Sequence, residues 1–122
     1  MKIGVVGSRT FTSDDMLTRT LARLTLQGDV IVSGGAKGAD TIAKGYAYDS
    51  GLPYVEHAPD VERYGWPAAA FERNSLIVRD SDVLFAFFGP GQPPSVNKSG
   101  TMDTVRRAIA KRIPVHLYFQ NE

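Results

Sequence analysis

Four short segments of the sequence combine glycines with hydroxyl, basic, amide or carboxylate side chains. These residue types suit a small anionic ligand, because backbone N–H groups, guanidinium groups and hydroxyls all donate hydrogen bonds to phosphate oxygens. Carboxylates can accept hydrogen bonds from sugar hydroxyls. The segments are residues 7–10, 33–40, 73–74 and 97–101.

The first segment directly follows an apolar run and contains Gly7, Ser8 and Arg9. Gly7 allows a ligand to approach the backbone, Ser8 can donate to a phosphate, and Arg9 offers a planar fork for a phosphate or carboxylate. A tight turn carrying a solvated arginine explains the same residues.

The second segment follows another apolar run and opens a predicted helix. Its spacing is neither that of a dinucleotide-binding glycine motif nor that of a P-loop. Small residues leave backbone N–H groups accessible at a helix N-terminus, which predicts an anion site. A lysine can pair with a phosphate, and an aspartate can accept from ribose hydroxyls or simply favour the helix start. The residues assigned to the site are Gly34, Gly35, Ala36, Lys37, Gly38 and Asp40.

The third segment is the Arg73-Asn74 pair inside a predicted helix. Asn74 shares the apolar face of that helix and therefore needs hydrogen-bond partners. It either supports a neighbouring loop or contacts a ligand.

The fourth segment closes a loop rich in Gly, Pro and Ser and begins the last predicted helix. Lys98, Ser99, Gly100 and Thr101 bring a charge, two hydroxyls and an exposed backbone N–H to one helix N-terminus. A plain N-cap accounts for one hydroxyl but not for the whole group. All four residues are therefore candidate ligand contacts.

Hydrophobic periodicity predicts alternating strands and helices around these segments. Such alternation favours a parallel sheet with right-handed crossovers and helices on both faces. We therefore predict an α/β fold: one small Rossmann-like three-layer domain with a five-stranded parallel sheet. The predicted strands are 2–7, 30–32, 54–57, 83–88 and 114–119, and the predicted helices run from 12–15 to 27–28, from 38 to 50, from 67 through 78, and from 101 to 111.

The inward faces of these helices follow from the spacing of apolar residues. Leu24 is expected to complete the face of the first helix, Phe71 that of the third and Ile109 that of the fourth. The stretch 58–65 lacks periodicity and is predicted to be a loop. The sequence leaves open whether residues 58–66 and 89–98 close over the site as lids. Trp66 can stack on a base or make a hydrophobic or dimer contact.

Composition excludes several classes of protein. The 122 residues have a 43% hydrophobic and 22% charged content, which is typical of one globular domain and not of a disordered chain. No apolar run is long enough for a membrane span and no signal peptide is evident, so a cytoplasmic protein is expected. The net charge of +1 argues against binding a nucleic-acid polymer.

Metal and nucleophile chemistry is not indicated. There are no cysteines, and His57 and His116 have no partner at metal-ligand spacing. No G-x-S-x-G nucleophile elbow occurs. No metal and no required cofactor are expected.

Taken in order, the four segments are similar to those of one known family. Gly-Ser-Arg, Gly-Gly-Ala-x-Gly-Ala-Asp, Arg-Asn and Ser-Gly-Thr resemble the YspA-like, cpYpsA-related branch of the SLOG superfamily. DprA and the lonely-guy phosphoribohydrolases belong to the same superfamily. The resemblance implies a Rossmann-like fold, a nucleotide-derived ligand at the segments above, and a sensor or processor role in conflict systems of bacteria and phages. Dimers are common among members of this superfamily, so the resemblance also implies a homodimer as a possible assembly.

One position departs from the phosphoribohydrolase pattern. The lonely-guy phosphoribohydrolases look to have a catalytic glutamate at the position that Thr104 occupies in this sequence. A hydroxyl cannot replace a carboxylate as a base at neutral pH. Asp103 lies one residue away, about 100° around the helix. Three hypotheses follow: nucleotide binding, N-glycosidic hydrolysis with Asp40 or Asp103 as acid or base, and a DprA-like nucleic-acid-binding module.

Overall fold

The computed structural model describes residues 1–90 and 100–120. Strands and helices alternate along the described chain, apart from two helices in succession after the third strand. The strands are β1 (Lys2–Gly7), β2 (Val30–Ser33), β3 (Tyr54–Glu56), β4 (Val83–Phe88) and β5 (Val115–Phe119). The helices are α1 (Asp14–Leu24), α2 (Ala39–Ser50), α3 (Val61–Tyr64), α4 (Ala68–Arg79) and α5 (Gly100–Ala110).

The five strands form one parallel sheet in the order β3-β2-β1-β4-β5. All six residues of β4 are buried, which is the pattern of a strand covered on both faces. Its aromatic side chains pack against those of the edge strand β5, where Phe87 stacks on Tyr118 with ring centroids 4.9 Å apart. The predicted five-stranded parallel sheet is confirmed.

Helices cover both faces of this sheet. Leu17 and Leu21 of α1 pack with the small residues of α2 on one face. Ile77 of α4 and Val105 of α5 pack on the opposite face, against the alternate residues of the same strands. The predicted three-layer α/β arrangement is therefore confirmed.

Two element boundaries differ from the sequence prediction. Helix α1 ends at Leu24 and not near residues 27–28, because Thr25 is extended and both its N–H and its hydroxyl bond to the Leu21 carbonyl. Leu24 is consequently 50% exposed and outside the core. The stretch predicted as a loop contains α3, whose first turn is capped by the Asp60 carboxylate.

Two predicted core residues are wrong as well. Phe71 is exposed, and the Arg107 guanidinium lies 6.0 Å from its ring centroid. Ile109 is exposed because Val105 and Ala108 already form the inward face of α5, which places the next residue about 100° away.

The strand order places a topological switch point between β1 and β4. The chain proceeds outward from β1 in one direction through β2 and β3, and then in the other through β4 and β5. In open parallel sheets the crevice at the carboxyl ends of two such strands is the usual ligand site. Among the described residues, no helix is long and apolar enough to cross a membrane.

Candidate functional site

A cleft of about 400 Å³ lies at the switch point, at the carboxyl ends of β1 and β4. Three of its walls are the loop after β1, the loop before α2 and the N-terminus of α5, and side chains of α4 complete it. Nine of the residues assigned from sequence line it: Gly7, Ser8, Arg9, Ala36, Asp40, Arg73, Asn74, Gly100 and Thr101.

Ser8 joins the ends of the two strands at the base of the cleft. It is buried, its backbone N–H donates to the Phe87 carbonyl at 3.0 Å, and its hydroxyl accepts from the Gly89 N–H at 2.8 Å. The hydroxyl also lies 3.2 Å from that of Thr10. Ser8 therefore fixes the two loops relative to each other.

The amides of the glycine-rich loop have a different partner from the one predicted. The N–H groups of Gly34 and Ala36 both donate to Asp40 Oδ2, at 3.2 and 3.1 Å. Asp40 thus closes the loop onto the start of its own helix. In this structure these two amides therefore hold the Asp40 carboxylate, and their contact with a ligand phosphate stays a prediction.

The other carboxylate oxygen of Asp40 is exceptional. Oδ1 is buried and has no hydrogen-bond partner of good geometry within residues 1–90 and 100–120. The nearby Ser33 hydroxyl donates to the Val5 carbonyl at 2.7 Å, although its proximity also lowers the pKa of Asp40. Burial raises the pKa of Asp40 to about 6, against the opposing effects of the Ala36 N–H and the Arg73 guanidinium. A buried carboxyl without a full set of donors favours its neutral form.

Two guanidinium groups face the cleft near Asp40. Arg73 Nη1 donates to the Gly34 carbonyl at 3.1 Å, and the pKa of Arg73 is lowered by burial and by the neighbouring positive charge of Arg9. Arg9 is exposed. An anion bound between two like charges would relieve their repulsion.

Asn74 connects α4 to α5. Its Oδ1 accepts from Arg73 Nε at 3.0 Å, and its Nδ2 donates to the Gly100 carbonyl at 3.3 Å and to Asp103 Oδ2 at 3.0 Å. Of the two roles left open by the sequence, the support of a neighbouring segment is the one that these contacts fill. Asn74 also lines the cleft, so a ligand contact stays a prediction.

The N-terminus of α5 opens into the cleft at Gly100 and Thr101. The first N–H groups of a helix have no partner within it, and the helix dipole adds a partial positive charge there. Thr104 lies one turn further on, and its hydroxyl donates to the Gly100 carbonyl at 3.0 Å. Lys98 and Ser99, assigned to the site from sequence, lie outside the described residues.

Several predicted site residues do not line the cleft: Gly34, Gly35, Lys37, Gly38 and Asp103, one of the two candidate catalytic acids. Gly34 packs against the Arg73 side chain, and a Cβ added at Gly34 would be 2.8 Å from Arg73 Nη1. Gly38 has a φ of +86° and packs against the Ser8 carbonyl, so its role is a close crossing of two loops. Asp103 accepts from Arg107 Nε at 2.7 Å.

Six further lining residues were not assigned to the site from sequence: Val6, Thr10, Trp66, Ala70, Ile77 and Thr104. Trp66 is 60% exposed and presents the sole indole of the chain to the cleft. Thr10 is the last residue of the first segment, 7–10, and its position there was the signal that could have assigned it to the site. In the described part of the chain, no three His, Asp or Glu side chains are close enough to form a metal cluster.

Comparison with solved structures supports the same fold. The X-ray structure of TM1055, a Northeast Structural Genomics Consortium target, aligns with a TM-score of 0.65 and 23% identity over 93% of this chain and 71% of that one. DNA processing protein A (DprA) from Streptococcus pneumoniae aligns with a TM-score of 0.67 and 21% identity over 95% of this chain. The aligned region is 49% of DprA, so the present chain spans about half of that protein.

At these identities the two structures establish the fold alone. No curated protein matches the chain. The family model described as YspA, cpYpsA-related SLOG matches residues 1–64, just over half of the 122 residues, and includes the first two of the four segments. The chain belongs to the YspA, cpYpsA-related SLOG family.

Proposed function

We propose that this protein binds a nucleotide or a nucleotide-derived small molecule in the cleft between β1 and β4. One observation carries the proposal: the guanidinium groups of Arg9 and Arg73 meet the N-terminus of α5 in a single cleft. Guanidinium groups and helix N-termini are the two groups that proteins use most readily to hold phosphate. A phosphate bound between them would relieve the repulsion of the two arginines.

Trp66 extends the proposal from a phosphate to a nucleotide. Its indole lines the same cleft as the two arginines and is more than half exposed. An exposed indole presents a flat apolar face on which a purine or pyrimidine can stack. A ligand with a phosphate at one end and an aromatic base at the other uses both features.

Thermal unfolding against a panel of ligands tests the proposal. The panel contains AMP, ADP-ribose, NAD, a cyclic nucleotide and a short single strand of DNA. A ligand at about 100 times its dissociation constant adds about 2.7 kcal/mol to the stability, which raises the midpoint by roughly ten degrees in a domain of this size. Quenching of the Trp66 fluorescence gives an independent measure of binding, because the chain has no other tryptophan.

Variants locate the binding. Arg9→Ala is expected to weaken binding by about 10- to 100-fold, the loss of one charged hydrogen bond. Arg19→Ala is the matched control, because Arg19 is an exposed arginine of α1 paired with Asp15 and does not line the cleft. No response to any nucleotide, or equal binding by the Arg9 and Arg19 variants, contradicts the proposal. Binding of DNA alone would favour the nucleic-acid alternative.

A second candidate function is hydrolysis of an N-glycosidic bond. It is favoured by Asp40, a carboxyl whose pKa is raised by burial to about 6 at the wall of the cleft, as a general acid requires. Asp103 is held by Arg107 and Asn74 and does not line the cleft. Release of free base from a nucleoside monophosphate, lost in Asp40→Asn, would establish this activity. No release after long incubation with concentrated protein would exclude it.

A further inference from the structure

Asp40 is the one acidic side chain among the described residues that line the cleft. Only 5% of it is exposed. Oδ2 holds the glycine-rich loop through two amides, whereas Oδ1 has no partner in the part of the chain that the structure describes. A hydrogen atom on Oδ1, beside the Ser33 oxygen, would satisfy the buried oxygen without moving the loop.

The charges around Asp40 come from three elements. Arg73 approaches from α4, and Arg9 lies beside Arg73 on the loop after β1. The third element is β3, whose Tyr54 interacts electrostatically with Asp40. The Tyr54 hydroxyl donates to Glu56 Oε1 at 3.2 Å. Arg73 interacts electrostatically with Asp40, so the Asp40 carboxylate and an anion bound in the cleft would both be attracted to Arg73.

The net charge of the cleft depends on this carboxyl. With Asp40 ionised, the described lining residues carry two positive charges and one negative charge. With Asp40 protonated they carry two positive charges alone. An anion between the arginines repels a neighbouring carboxylate and so favours its neutral form.

We propose that Asp40 determines the ligand charge that the cleft accepts: the ligand binds together with a proton on Asp40, and the site thereby selects ligands whose phosphates carry two negative charges in total over ligands that carry one. This inference rests on the proposed function and specifies its ligand. Proton and ligand stabilise each other's binding by the same factor, as linkage requires. The burial that raises the pKa of Asp40 to about 6 places this exchange within the physiological pH range.

Asparagine reproduces the protonated state of Asp40. Its carbonyl oxygen can accept from the Gly34 and Ala36 amides, and its NH₂ group takes the place of the O–H beside Ser33. Asp40→Asn is therefore expected to fold and to fix the cleft in its doubly positive form. Asp15→Asn removes an exposed carboxylate of α1 and serves as the matched control.

Calorimetric titration with ADP-ribose between pH 5.5 and 8 tests the inference. ADP-ribose is the probe because each phosphate of its diphosphate carries one charge throughout this range. The affinity of the unmodified protein should fall by up to about tenfold per pH unit above pH 6, with proton uptake visible in buffers of different ionisation heat. Asp40→Asn should show no such slope and should bind at least about tenfold more tightly at pH 8.

A comparison with cyclic AMP, which carries one charge, tests the selectivity. The ratio of the affinities for ADP-ribose and cyclic AMP should rise as the pH falls from 8 to 6, and should be constant in Asp40→Asn. His57→Gln and His116→Gln are measured in parallel as controls and should retain the slope, since neither histidine lines the cleft.

The outcomes separate this inference from the proposed function. If ADP-ribose binds with equal affinity to Asp40→Asn and the unmodified protein at every pH, the inference is wrong and the proposed function stands. If no ligand binds at either end of the pH range, both are wrong. If Asp40→Asn does not fold, the Asp40 carboxyl carbon is titrated by NMR in the unmodified protein. Saturating ADP-ribose should raise its midpoint, and an unchanged midpoint overturns the inference.

Discussion

Replacing Asn74 by leucine should destabilise the protein by about 3 kcal/mol, because this side chain joins α4 to α5. The substitution removes three hydrogen bonds, two of them with the charged groups of Arg73 and Asp103. Bonds to charged groups are worth about 1.5 kcal/mol or more each, and a neutral one about 1 kcal/mol. The apolar leucine recovers part of the loss at this buried position, which is 3% exposed. Urea unfolding followed by circular dichroism measures the difference.

Asn74→Asp separates the lost hydrogen bonds from a charge effect. It keeps the acceptor for Arg73 Nε. It also places a carboxylate oxygen where Asn74 Nδ2 now lies, 3.0 Å from Asp103 Oδ2. This raises a carboxyl pKa in the folded state, so the added destabilisation is present at pH 7 and decreases as the pH falls toward 5. The leucine variant should show no such recovery. A leucine variant within about 0.5 kcal/mol of the unmodified protein, the level of an ordinary surface change, would refute the assigned role.

Three further outcomes are expected. Gly34→Ala sets a methyl group 2.8 Å from Arg73 Nη1, so nucleotide affinity measured by Trp fluorescence should fall by about tenfold. Gly45→Ala is its control, since an added Cβ meets nothing within 4 Å, and in a helix it should stabilise the protein by about 1 kcal/mol in urea unfolding with affinity unchanged. The Arg79 hydrogen bond lowers the pKa of Asp80 to about 2. Asp80→Asn should therefore cost about 1 kcal/mol at pH 7, after discounting for the exposed arginine, and progressively less as the pH falls from 4 through 2, because the stabilisation is lost only as the pH passes below the folded-state pKa.

The sheet could be predicted because its strands are distinct in the sequence. Short β-branched or aromatic runs such as Val83–Phe88 end at glycines or prolines, and strict alternation with helices leaves a parallel sheet as the arrangement that buries them. Shorter elements escaped prediction. Helix α3 has four residues, about one turn, which is too short for a hydrophobic period.

The position of the cleft could be predicted because topology determines it. Every turn that follows a parallel strand lies at the same edge, so Arg9 and Asp40 had to be close in space although they are 31 residues apart. The hydrogen-bond partners could not be predicted. That Asp40 occupies the loop amides and that Asn74 reaches Gly100 depend on side-chain orientation across different elements.

Which apolar side chains at the margin of a helix are exposed could not be predicted from the sequence either. Ile109 is apolar and follows the inward residue Ala108, yet it points to solvent because one step along a helix turns the side chain by about 100°. Periodicity defines a helical face to within about one residue, and the neighbouring helix decides which residue at its margin is covered.

A backbone-amide NMR titration with ADP-ribose tests the central claim most directly, because it reports the position of the ligand residue by residue. We expect the largest shift changes at the amides of Gly7, Arg9 and Thr101 and at the indole N–H of Trp66. Changes centred on the larger groove of about 740 Å³ between α4 and α5, lined by Arg79 and other residues, would contradict it. So would saturating ligand that leaves every amide unchanged.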